Sequence, residues 1–227
     1  MLRRESGFTL IEIAIVLVII GLLLGGVLKG QELITSARVR NIISQQDGVK
    51  AAFFGFQDRF RAIPGDYSQA SINIATGLKD GNGNGQVESM ASGGGGDEYI
   101  AVWEHLSRSG FINGSYAYAP APPTTASNLS NPYGMFLVLI YDNLYAGSNP
   151  TRHNLKTGNQ IPADILAEVD RKVDDGRADV GVLRFSTHVG LTVGTPPTPT
   201  RCFDAATGAW LVVGGTVETN CGATSLF

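Results

Sequence analysis

The dominant hydrophobic feature of the chain is an unbroken run from Phe8 to Leu28, 21 residues in which Glu12 alone is charged. As a helix, at about 1.5 Å per residue, that run is about 32 Å long and matches a bilayer core of about 30 Å. After Gly25, Gly26 and Gly30 the pattern becomes one-sided. Leu33, Ile34, Ile42, Ile43, Val49, Phe53, Phe56 and Phe60 recur mostly at threes, fours and sevens, with Arg38, Arg40, Gln45, Gln46, Asp47, Lys50 and Arg61 between them. That period predicts an amphipathic continuation of the same helix, about 55 residues in all, ended by Pro64.

Further along, the apolar signals are shorter. Ile63-Pro64-Gly65-Asp66-Tyr67 reads as a turn. Asp97 to Ser109 has helical spacing, with Asp97 and Glu98 in the first turn, a face of Ile100, Trp103 and Leu106, and Gly110 as the C-terminal cap. Pro120 to Asn131, rich in Pro, Thr, Ala, Ser and Asn, reads as an exposed loop. The run Gly134 to Tyr141 suits a strand or a buried helix, and periodicity does not choose between them. Pro162 to Lys172 predicts a short helix with Pro in its first turn, stopped by Asp174-Asp175-Gly176. Three strand candidates follow: Val180–Thr187, Val189–Val193, and Ala209–Val213 with Thr216–Glu218.

Composition narrows the function. Net charge is −3, so no nucleic-acid surface is indicated, and 29 glycines and 10 prolines point to a loop-rich, partly β domain beyond the first helix. His105, His153 and His188 lie in separate segments without ligand spacing. No Gly-x-Ser-x-Gly, phosphate loop or zinc motif occurs, so the sequence argues for no enzyme. Asp174-Asp175 before Gly176 reads as a turn or as cation ligands more readily than as an acid–base pair. Cys202 and Cys221 are too few and too far apart for a usual metal site; if the domain is exported, they are expected to form a disulfide.

The N-terminus resolves into a motif. Arg3-Arg4-Glu5-Ser6-Gly7 precedes Phe8-Thr9-Leu10-Ile11-Glu12 and the apolar run. A secretory signal peptide would have a shorter apolar region, of about 7–15 residues, and a small-residue cleavage site after it. A plain anchor would leave Glu12 unexplained, since an ionisable group in a spanning helix usually has a partner. The segment closely resembles the N-terminus of a type IV prepilin. That resemblance implies cleavage between Gly7 and Phe8 by a membrane-embedded prepilin peptidase and methylation of the new Phe8 amine. It also implies a stay in the bacterial inner membrane with the C-terminal domain periplasmic. From there an inner-membrane assembly platform would build a filament with other pilin subunits. Glu12, four residues from the new amine, would pair with the Phe8 ammonium of a neighbour and set register. Pilus subunit, pseudopilin of a type II secretion system and non-assembling anchored binding domain remain alternatives, of which Glu12 favours the first two.

The expected fold class is α+β: a long N-terminal helix packed on a C-terminal antiparallel sheet, as in pilins. The expected divisions are a leader (1–7), a transmembrane or filament-core helix (8–29), an amphipathic spine (30–63) and an exported globular domain (64–227). A calcium site is expected at Asp80, Asn82 and Asn84. Asp80-Gly-Asn-Gly-Asn-Gly matches the start of a calcium-loop pattern, and the carbonyl of Gln86 falls where a backbone ligand belongs. The twelfth position is Ala91 rather than a bidentate Glu, so Glu88, Asp97 or Glu98 would have to complete the shell. Some pseudopilins carry calcium in an equivalent loop; the alternative is an Asn-Gly turn without an ion.

Overall fold

The computed structural model describes residues 9–88, 97–120, 122–188, 195–212 and 217–227. The chain divides into two compact units, Met1–Arg38 and Val39–Phe227. Helix α1, Leu10–Phe60, runs from the first into the second as one continuous helix through Gly21, Gly25, Gly26 and Gly30.

In the first unit the apolar residues of α1 are exposed, from Leu10 (93%) to Leu28. The exposed character continues through Leu33 and Ile34, which were expected to open the amphipathic stripe. Burial begins at Val39 and follows helical spacing through Ile42, Gln46, Val49, Ala52, Phe53 and Phe56. The helix ends before Pro64. Arg61 adopts a positive φ of 53° while its amide still reaches the carbonyl of Gln57 (2.9 Å), a left-handed exit that ends α1 at Phe60.

The second unit is α+β. Its four-stranded sheet contains β1 (Val138–Asp142), β2 (Arg152–Lys156), β3 (Leu183–Phe185) and β4 (Ala223–Leu226) in the order β1-β2-β4-β3, every neighbouring pair antiparallel. The helices after α1 are α2 (Ala70–Asn73), α3 (Glu98–Arg108), α4 (Ala163–Val173) and α5 (Pro199–Cys202). The sheet spans two hydrophobic clusters. In one, Val49, Phe53 and Phe56 of α1 join Ile100, Trp103 and Leu106 of α3 with Val138, Leu139 and Leu155. In the other, Val39 and Ile42 join Ile165, Leu166 and Val169 of α4 with Leu183, Phe185 and Ala223. One helix therefore supplies both halves of the core, with buried residues recurring mostly every three to four positions.

α3 and α4 stand where their patterns put them, with Gly110 at positive φ (83°) after the first and Pro162 before the second. The undecided run 134–141 contributes a strand, β1. Two corrections concern the rest. Ala209 and Trp210 form isolated bridges to Arg177 and Phe203 and no strand, because the Asp204–Gly208 turn folds Trp210 back onto Phe203 without a longer partner. The segment ending at Asn131 is not all exposed: Ser127, Asn128 and Asn131 are buried, and Asn131 ties Thr157 O to the amides of Tyr133 and Met135. Val189–Val193, and part of 213–218, lie outside the described residues. β2 and β4 carry no periodic apolar signal and were not foreseen.

Candidate functional site

The N-terminal site begins at Thr9; Gly7 and Phe8 lie outside the described residues. Thr9 and Glu12 form a reciprocal cap on α1. Glu12 Oε2 accepts from the Thr9 amide and from its hydroxyl, both at 2.8 Å, and the Glu12 amide donates to Thr9 Oγ1 at 3.3 Å. The spacing Thr-x-x-Glu is that of a capping box, so in the free subunit Glu12 satisfies donors that a helix start otherwise leaves open. Its other oxygen lies outside these bonds. The next charges along the helix, Lys29 and Glu32, form an exposed pair at 2.7 Å. By length and composition α1 is suited to cross a membrane.

The expected calcium loop is organised around carboxylates that belong to other segments. Asp66 Oδ1 accepts the amide of Asn84 (3.0 Å) and Oδ2 that of Gly85 (2.8 Å), while the Asp66 carbonyl accepts Gly83. Glu98, at the start of α3, accepts the amides of Asn82 (2.9 Å) and Glu88 (3.1 Å). Asn82 and Asn84 turn their Oδ1 atoms to the amides of Asn84 and Gln86, and both donate Nδ2 to Glu88 Oε2. Asp80 points to Ser71, taking its amide (2.8 Å) and hydroxyl (2.6 Å). Asp97 is buried beside Tyr99, whose phenol is pushed up by burial first and by that carboxylate next. Burial likewise raises Asp66 and Glu98 above the usual carboxylate range, against the pull of the amides they accept. The structure thus brings Asn82, Asn84, Glu88 and Glu98 together but commits the Asp80 oxygens elsewhere. Among the described residues, the loop's own N–H groups bond to the Asp66 and Glu98 oxygens.

Carboxylates do converge at the C-terminal end of α4. One oxygen each from Asp170, Asp174 and Asp175 lies within 4.8 Å of the other two, a cluster that could hold a metal ion. Asp174 and Asp175 were visible in the sequence as a pair. Asp170 was missed, although its place one helical turn before Asp174 is the signal that puts both on one face.

The histidines are structural in their contacts. His105 is fully buried: Nδ1 accepts the Gly65 amide (2.9 Å), which leaves Nε2 to donate to the Lys79 carbonyl (2.7 Å). It clamps both ends of segment 65–79 to α3. Burial holds His105 below the ordinary imidazole range and holds His153 at about 4. Cys202 and Cys221 are buried and disulfide-bonded, as an exported domain would require. Cys221 also pairs with Ile161 ahead of α4, so the bond ties α5 to the entry of that helix.

A helix whose N-terminal apolar residues are exposed is compatible with membrane anchoring. Residues 2–28 match the family described as the prokaryotic N-terminal methylation motif. With the long apolar helix, that match fits a type IV pilin-like protein. No curated protein and no solved structure matches the chain.

Proposed function

We propose that this chain is the precursor of a structural subunit of a type IV pilus or pilus-like filament, processed by prepilin peptidase between Gly7 and Phe8 and methylated at Phe8. The observation that carries the reading is the methylation-motif match over residues 2–28, followed by a helix that exposes its apolar side chains and carries Glu12 as their one charge. Lipid and a filament core are both apolar, so transfer of α1 from one to the other changes its solvation little. The Glu12 oxygen outside the Thr9 bonds is available to a neighbour's Phe8 ammonium; in low dielectric that contact fixes stagger as well as adding attraction. The role is structural, with the disulfide-bonded head periplasmic before assembly. A type II secretion pseudopilus would use the same parts in a shorter filament.

The experiment is expression of the full chain with a prepilin peptidase and an assembly platform. The mature mass should begin at Phe8 and include one methyl group. Glu12→Ala should be cleaved and membrane-bound but absent from sheared filaments. A mature protein beginning at Met1 or after Leu28, or normal incorporation of Glu12→Ala, would overturn the reading.

A further inference from the structure

We propose that Asp170, Asp174 and Asp175 form a binding site for a hard divalent cation at the C-terminal end of α4, separate from the Asn/Gly loop. The three carboxylates meet within 4.8 Å of one another. Asp170 is fully buried; its Oδ2 accepts the Trp210 indole N–H at 2.6 Å, while the Gly176 amide acts on the carboxylate without completing a hydrogen bond to Oδ1. A buried carboxylate oxygen without a donor leaves a desolvation cost uncompensated unless a proton or a cation meets it.

Three neighbouring cations are engaged with other carboxylates. Arg171 and Lys172 pair with Glu168 at 2.9 Å, and Arg177 pairs with Asp179 at 3.2 Å. Lys50, half-buried, is near enough for its charge to interact with Asp174 as well as with Asp47. The position adds to the imbalance. The last carbonyls of α4 present the negative end of the helix dipole, where acidic side chains are disfavoured and a cation is favoured.

The loop is also shaped to hold the carboxylates. Asp174 Oδ2 accepts the amides of Val182 and Leu183, and Asp175 Oδ1 accepts that of Arg177. Each keeps a second oxygen outside those bonds. Gly181 lies so close to the Asp174 carboxylate that a Cβ there would collide with it. With oxygen donors only and no nitrogen or sulfur, the site suits calcium or magnesium rather than zinc or copper. Exposed Asp175 provides the entry.

Trp210 supplies the probe, because it is bonded directly to a ligand residue. The full chain in mild detergent, stripped with a chelator, is titrated with terbium while tryptophan is excited. Saturable sensitised emission is expected. Calcium should displace it; magnesium should do so only if the site accepts a smaller octahedral ion. Asp175→Asn keeps the acceptor for Arg177 and should weaken terbium binding roughly tenfold through the lost charge. Asp174→Asn should weaken it at least as much, with circular dichroism confirming the fold. Asp80→Asn should leave the titration unchanged. Emission unaffected by Asp175→Asn, or abolished by Asp80→Asn, would overturn the proposal.

Discussion

Residues 80–88 and residues 170–183 are both acidic connections punctuated by glycine, and they solve the same electrostatic problem in opposite ways. In the first, Asp66 and Glu98 are buried but surrounded by loop amides, so each oxygen has a donor. In the second, amides reach Asp174 and Asp175 but complete no hydrogen bond to Asp170 Oδ1. The lesson is that a metal-loop spacing in sequence names candidate oxygens, and the folded backbone decides which of them its amides also use. Glycines at 81, 83 and 85 turn N–H groups inward; once inward, those groups compete with any cation for the same lone pairs.

The largest expected effect breaks the tie between α5 and the entry of α4. Replacing Cys202 and Cys221 with Ser should cost about 3 kcal/mol in the chain-entropy account of a 19-residue separation, read from urea unfolding of oxidised and variant proteins. Asp66→Ala should come next, at about 2–3 kcal/mol, since it strips the acceptors from Asn84 and Gly85. An unchanged urea midpoint would show that water replaces the carboxylate and that the first loop is not organised around it.

His105 sharpens the comparison by pH. Its folded pKa lies below its unfolded value near 6.5, so the native state binds fewer protons there than the unfolded one. Its contribution is therefore complete above pH 6.5 and is lost as pH falls through the folded value. Thermal midpoints of the parent should drop more between pH 7 and pH 5 than those of His105→Gln. The smallest effect is expected from Asp80→Ala, about 1 kcal/mol from the lost Ser71 contacts. A calcium-dependent melting shift should survive that change and shrink in Asp175→Asn.

Much of this protein is local and was legible residue by residue. The apolar run with its Thr9–Glu12 cap, the stripe from Ile42 to Phe56, the α3 face closed by Gly110 and the Pro162 start of α4 each depend on neighbours within about four positions, the reach of helical periodicity and capping. The disulfide followed from compartment and count. Tertiary structure alone decided β2 and β4. Arg152-His-Asn-Leu-Lys is strand because Lys156, fully buried, reaches Asp142 at 2.8 Å across the β1 pairing, and Ala-Thr-Ser-Leu is strand because it fills the gap between β2 and β3. It decided, too, that Asp66 owns a loop 18 residues away and that Asp170 meets Trp210 across 40 positions. Such pairings carry no period along the chain. They are chosen by which buried polar atoms can find partners once the hydrophobic faces have closed.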